Sequence, residues 1–160
     1  MSDVQKALEY VRSNRDRYLN ELKEFVNIPS ISTLSENKAD VQRAAEWVAA
    51  QLRSLGMDNV RIMPTALHPV VYGEWMGAGK SAPTVMIYGH YDVQPVDPLE
   101  LWSSDPFKAE VRGDYLFGRG GSDMKGQVVA SIKAVEAIMK ADGKLPVNIK
   151  WLVEGEEEIG

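Results

Sequence analysis

The 160-residue sequence contains no cysteine, which excludes a disulfide scaffold, a thiolate nucleophile and a thiolate metal site. It has no run of about 18 consecutive apolar residues, so it offers no candidate membrane-spanning helix. It also lacks the basic excess of a nucleic-acid-binding protein, because its formal net charge is −5. Its two histidines are His68 and His90. We expect His68, which lies between two predicted strands, to be a surface or packing residue.

The composition is that of a globular protein with a hydrophobic core. Apolar residues make up 44% of the chain and charged residues 26%, and the length favours a single domain. The acidic excess is local, since residues 151–160 hold four glutamates and neither lysine nor arginine: Glu154, Glu156, Glu157 and Glu158. Such a cluster at the end of an apolar segment predicts a bound cation.

Hydrophobic periodicity predicts alternating helices and strands. Apolar residues three to four positions apart predict one helix over residues 1–30 and further helices over 37–55 and 123–140. Residues 84–88 form an apolar run between Pro83 and Gly89, typical of a strand buried on both faces. The other predicted strands cover residues 60–63, 70–76 and 147–153, with a hairpin over 107–117. This interspersed order predicts an α/β layered fold.

Three polar clusters each follow a predicted strand or begin a predicted helix. They are centred on His90, on Asp123 and on the glutamates of residues 154–158. In open α/β sheets, ligands bind beyond the carboxyl ends of the strands. We therefore expect the three clusters to meet at one site.

The residue types in these clusters suit a two-metal hydrolytic site. His90 and Asp92 are two positions apart, so in an extended segment Asp92 lies close enough to orient a metal-binding imidazole. One imidazole and several carboxylates, with no thiolate, favour Zn²⁺ or Mn²⁺. Each feature also has a purely structural alternative: His90 as a loop residue, Asp123 as a helix cap and the glutamates as a solvated surface. The glycine-rich segment before Asp123 fits neither common nucleotide-binding pattern.

The same segments resemble the N-terminal motifs of one zinc metallopeptidase family. The matching stretches are YGHYDVQP at 88–95, GRGGSDMKG at 118–126 and EGEEEIG at 154–160, with IPSIS at 28–32 as a further match. The family includes cytosolic nonspecific dipeptidase, carnosinase, carboxypeptidase G, acetylornithine deacetylase and succinyl-diaminopimelate desuccinylase. The segments at 97–102 and 105–107 resemble the dipeptidase and carnosinase branch. The resemblance implies a three-layer αβα fold with a mixed, largely parallel central sheet.

The resemblance also implies a role for each site residue. His90 would bind one metal ion with Asp92 as its partner, and Glu158 would bind a second ion. Asp123 would bridge both ions and precede a cis peptide bond. Glu157 would act as general base and acid. The ions would be zinc, with manganese or cobalt as alternatives. The implied reaction is hydrolysis of the amide bond of a dipeptide or an N-acyl amino acid through a metal-bridging water.

Members of the family continue well beyond these motifs. The resemblance implies that residues 1–160 form the N-terminal portion of the peptidase catalytic domain. The lid and dimerisation domain and the C-terminal catalytic portion would be absent, leaving this portion weakly active or inactive by itself. Expected partners are a small peptide substrate and, through the lid, a second subunit, with no nucleic acid or membrane, in the cytoplasm. The alternative is a non-catalytic α/β fragment, or a degenerate relative of the family, that only packs against a partner.

Overall fold

The computed structural model describes residues 3–160, and it begins with two helices where the sequence predicted one over residues 1–30. These are α1 (Asp3–Ser13) and α2 (Arg15–Val26); the first two positions of the predicted helix lie outside the described residues. The break falls at Asn14, whose side-chain amide donates a hydrogen bond to the Tyr10 carbonyl at 2.9 Å. Asparagine commonly interrupts helices this way, because its side chain competes for backbone groups.

The remaining elements follow the predicted order closely. Helix α4 ends two residues beyond its predicted end at 140, just before Gly143, which adopts the left-handed conformation (φ 73°) that closes a helix. No helix within residues 3–160 is both long and apolar enough to cross a bilayer. The elements are α3 (Lys38–Ser54), β1 (Asp58–Met63), β2 (Val70–Trp75), β3 (Thr84–His90), β4 (Glu110–Arg112), β5 (Tyr115–Phe117), α4 (Lys125–Asp142) and β6 (Asn148–Glu154).

Four strands form the central sheet in the order β1-β2-β6-β3, and β4 and β5 form a separate hairpin. The α/β class and the mixed sheet are confirmed. Over the described residues, however, the sheet is not largely parallel: β3 and β6 pair in parallel, whereas β1–β2 and β2–β6 are antiparallel. The connections between strands explain why fewer strand pairs are parallel than expected. Helix α4 lies on the crossover between β3 and β6, while β1 and β2 are joined by the short direct loop that an antiparallel pair permits.

The described helices cover one face of the sheet. Val71, Trp151 and Val153 share that face and belong to one buried cluster with residues of α3 and α4. On the opposite face, Met86 and Tyr88 are 57% and 50% exposed. Residues 3–160 therefore form two of the three expected layers. The prediction that β3 is buried on both faces is wrong for this part of the chain, because the face that carries Met86 and Tyr88 is exposed among the described residues.

A buried ionic network fastens α2 and α3 to α4. Lys133 is 5% exposed, and its ammonium contacts Glu21, Glu136 (3.3 Å) and the side-chain carbonyl of Gln51 (2.8 Å). Arg17 lies 2.5 Å from the Glu136 carboxylate. Burial by itself would raise the pKa of Glu136, but the hydrogen bond from Arg17 and the charge of Lys133 outweigh burial and hold this pKa below its ordinary value.

This network predicts a specific loss of stability in acid. Because the folded-state pKa of Glu136 is lowered, its stabilising contribution is complete above its ordinary pKa of 4.5 and disappears as the pH falls through the folded value. We expect Glu136→Gln to lower the free energy of unfolding at pH 7 by about 1–3 kcal/mol and to flatten its decline below that pKa. Urea unfolding across pH 3–7 would measure both effects. The exposed Glu9→Gln is the control, and equal acid slopes for the two variants would contradict the prediction.

Candidate metal centre

The three polar clusters meet at one edge of the sheet. His90 is the last residue of β3, Asp123 lies just before α4, and Glu158 lies in a short 3-10 turn after β6 (Glu157–Ile159). Because β3 and β6 run parallel, with His90 paired to Glu154, their carboxyl ends reach the same edge. One potential ligand atom from each of His90, Asp123 and Glu158 lies within 4.8 Å of the other two.

The His90 imidazole is buried and aims one nitrogen at this cluster. It is 3% exposed, and its Nδ1 lies 3.0 Å from the Asp92 carbonyl oxygen and 3.3 Å from Oδ1 of Asp92. Its Nε2 lies 3.2 Å from Oδ1 of Asp123 and 3.8 Å from Oε2 of Glu157. Burial lowers the pKa of His90, but the hydrogen bonds and negative charge of Asp92 outweigh it and raise the pKa to about 9.

Asp92 contacts two of the candidate ligands, His90 and Glu158. It is completely buried, and while Oδ1 faces His90, Oδ2 accepts a hydrogen bond from the Glu158 backbone N–H at 3.0 Å. Burial would raise the pKa of Asp92, but its interactions with His90, Ser32 and the Glu158 amide outweigh burial and hold the pKa below its ordinary value. Asp92 is thus a charged anchor between the ends of β3 and β6.

The carboxylates of the cluster face solvent. The side chains of Asp123 and Glu157 are 78% and 48% exposed, in contrast to the buried His90 and Asp92. The peptide bond between Asp123 and Met124 is cis, which confirms that implication of the resemblance. An imidazole nitrogen and carboxylate oxygens converging without a thiolate are a donor set that Zn²⁺ or Mn²⁺ accepts. The residues present therefore fit a divalent transition-metal ion.

The four glutamates of residues 154–158 divide into two groups. Glu154 accepts a hydrogen bond from the Tyr88 hydroxyl, and Glu156 turns away to accept hydrogen bonds from the Thr65 hydroxyl (2.5 Å) and the His68 backbone N–H (2.7 Å). Only Glu157 and Glu158 of the four lie at the cluster. The division arises because β6 ends at Glu154 and the chain then turns, so strand alternation no longer decides the direction of each side chain.

His68 has a structural role, as expected. It is 7% exposed, and its Nε2 forms a hydrogen bond with the Ser32 carbonyl at 2.8 Å. This contact joins the loop between β1 and β2 to the segment over residues 28–32. The His68 ring has no contact with the cluster among the described hydrogen bonds.

Comparison with known proteins places this geometry in a family. Residues 86–160 match the model of Peptidase family M20/M25/M40. The chain is 33% identical to the cysteinylglycine-S-conjugate dipeptidase of Corynebacterium striatum over 92% of its length, and 34% identical to the human Beta-Ala-His dipeptidase over 98%. The chain belongs to this family.

Solved structures show the same relationship to M20 peptidases. The fold superimposes on the dipeptidase Dug1p of Saccharomyces cerevisiae with a TM-score of 0.90 at 28% identity, and on human carnosine dipeptidase 1 with a TM-score of 0.88 at 34% identity. All of this chain is covered in both comparisons, but only 36% of either relative. The chain therefore spans about a third of the length of the M20 relatives it matches.

Ser30 and Lys125, which lie outside the predicted site, form hydrogen bonds with backbone carbonyl groups in and near it. The Ser30 hydroxyl donates a hydrogen bond to the Tyr91 carbonyl at 2.6 Å, between His90 and Asp92. The ammonium group of Lys125 donates to the carbonyls of Phe25 (3.0 Å) and Ile28 (2.6 Å), and burial lowers the pKa of Lys125 to about 7. Ser30 and Lys125 lie within the M20 motifs at 28–32 and 118–126, but the sequence offered no chemical reason to give them roles.

Proposed function

We propose that residues 1–160 supply the N-terminal portion of a metal-dependent M20 peptidase that hydrolyses the amide bond of dipeptides or N-acyl amino acids. The observation that carries the proposal is the convergence of His90, Asp123 and Glu158 within 4.8 Å. The names of the most similar relatives support the substrate class, because they describe dipeptidases acting on cysteinylglycine conjugates or on Beta-Ala-His.

His90, Asp123 and Glu158 would hold the metal, with zinc as the first choice and manganese or cobalt as alternatives. Asp123 would serve as a shared ligand if the site holds two divalent ions, and further ligands would then come from residues outside 1–160. When bound, such ions supply Lewis acidity and bring the pKa of a coordinated water towards neutrality.

The other two site residues would orient a ligand and move a proton. Asp92 holds Nδ1 of His90, so that Nε2 remains directed at the cluster. Glu157 lies 3.8 Å from that nitrogen and is half exposed, so a bound peptide could reach its carboxylate. In this role Glu157 takes the proton of the attacking water and delivers it to the leaving amine.

The proposed substrate follows from the names of these relatives, and the proposed second subunit follows from the family resemblance. The substrate would be a small peptide, and the smaller lid domain and the second subunit would contact parts of the protein beyond residue 160. In this arrangement, residues 1–160 by themselves would be weakly active or inactive, because the metal and the substrate would lack ligands from those parts.

Metal titration of two neighbouring glutamate variants tests the proposal. We expect Glu158→Ala to weaken binding of Zn²⁺ or Mn²⁺ by about 100-fold, the upper end of the range for residues that merely orient a ligand. Glu156→Ala is the control, since that carboxylate is held by Thr65 and His68 away from the cluster. Isothermal titration calorimetry would measure both. The titrations use the full-length protein, because residues 1–160 would lack some of the metal ligands; a full-length wild-type protein that binds neither ion would overturn the proposal and favour a non-catalytic α/β module.

A further inference from the structure

Gln94 donates a hydrogen bond to one of the proposed metal ligands. Its side-chain Nε2 lies 2.8 Å from Oε2 of Glu158 and 3.2 Å from the Glu158 backbone carbonyl oxygen. Both partners are acceptors, so the NH₂ end of the amide must face them and the carbonyl end cannot. Within residues 3–160, no other side chain donates a hydrogen bond to the Glu158 carboxylate.

The backbone around Gln94 is fixed on both sides, although its side chain is exposed. On one side, the Val93 N–H donates to the Ser30 carbonyl at 3.0 Å. On the other, the Pro95 carbonyl accepts a hydrogen bond from Arg119 at 2.9 Å, and the Arg119 guanidinium lies 5.0 Å from the centre of the Trp102 ring. The amide donor therefore projects from a fixed backbone, so the conformational cost of reaching Glu158 is confined to the Gln94 side chain.

Two residues thus hold Glu158 at different points. Asp92 accepts its backbone N–H, and Gln94 binds its carboxylate and its backbone carbonyl. A carboxylate has two oxygens, so a hydrogen bond to Oε2 restricts rotation of the group and leaves Oε1 for a cation. Residues that orient metal ligands in this manner commonly change metal affinity by about 10- to 100-fold when replaced.

We propose that Gln94 is a positioning residue for the metal centre, which presents the Glu158 carboxylate in the orientation that binds the ion. The inference rests on the proposed role of Glu158 as a ligand. It extends that role to a residue that contacts neither His90 nor Asp123 and does not itself bind the ion.

The test replaces Gln94 by methionine, which has similar length but no donor. We expect Gln94→Met to bind Zn²⁺ or Mn²⁺ about 10-fold more weakly, the lower end of the usual range because the bond is exposed. In the Co²⁺-loaded protein, the visible absorption spectrum should change, since it reports the coordination geometry. The melting temperature of the metal-free protein should stay at the wild-type value, which a residue that merely stabilised the fold would alter. Gln94→Ala provides a second variant with the same expected result.

Gln42→Met is the matched control. Gln42 is also exposed, and its Nε2 donates to the Glu46 carboxylate at 3.0 Å on α3, so the variant removes the same kind of bond elsewhere. Wild-type metal affinity and Co²⁺ spectrum in both Gln94 variants would overturn the inference but leave the proposed function standing. A full-length wild-type protein that binds no metal would overturn both.

Discussion

Glu157→Gln is expected to lower kcat for dipeptide hydrolysis by about 10²- to 10⁴-fold, the usual contribution of a positioned general base and acid. Glutamine has nearly the same shape but cannot accept and return a proton at neutral pH. Glu157 lies at the edge of the cluster, 3.8 Å from Nε2 of His90 and 48% exposed. Metal affinity, measured by titration, should therefore stay within a few-fold of wild type.

Glu156→Gln is the control for this kinetic comparison. Glu156 is the preceding residue, but its carboxylate is bound by Thr65 and the backbone of His68. Its replacement should leave kcat close to the wild-type value. All variants must be compared in the full-length protein, because residues 1–160 by themselves are expected to be weakly active. A Glu157→Gln protein that binds metal and retains wild-type kcat would show that another group transfers the proton.

Trp151→Ala is expected to cause the largest loss of stability, about 3–5 kcal/mol. Trp151 is 1% exposed in the middle of β6, where it pairs in register with Gly73 of β2 and Ile87 of β3. Truncation would open a cavity in the core shared by α3, α4 and the sheet. Since domains of this kind are stable by about 5–15 kcal/mol, the variant would lose a large part of its free energy of unfolding.

Urea unfolding would measure this loss as a lower midpoint. Trp151→Phe should cost less, because it keeps most of the packing and removes an indole N–H that has no hydrogen-bond partner in the described structure. Tyr115→Ala is the surface control: this side chain is 73% exposed, so its loss should change stability by less than about 0.5 kcal/mol. A loss below about 1 kcal/mol for Trp151→Ala would contradict the described core.

Features set by local chemistry could be predicted from the sequence. The spacing of apolar residues located α4 to within two residues at each end, and Pro83 precedes β3, which continues through Gly89 to His90. The three polar clusters were expected to converge because each adjoins the end of a strand or the start of a helix. The structure brings His90, Asp123 and Glu158 together as that reasoning required, although their roles as ligands remain a prediction.

Features set by distant contacts could not be predicted in the same way. Apolar character indicates that a segment can be buried but not which neighbour covers it. The sequence therefore predicted two covered faces for β3, whereas the face that carries Met86 and Tyr88 is exposed. Strand direction depends on connections, so the sequence did not show which pairs of the mixed sheet would be antiparallel. Among the glutamates, the choice between Glu156 and Glu158 depends on a turn after β6 and on Thr65, 91 positions away from Glu156.

Because the site residues are far apart along the chain, we expect the sheet to form before the protein binds metal. Asp123 lies 33 positions after His90, and Glu158 lies 64 positions after Gln94, so no local segment can chelate an ion. The cluster forms only when β6 aligns beside β3, a long-range pairing of the kind that slows folding. Metal loading would then be a late event, and a chelator present during refolding should leave the rate of sheet formation unchanged.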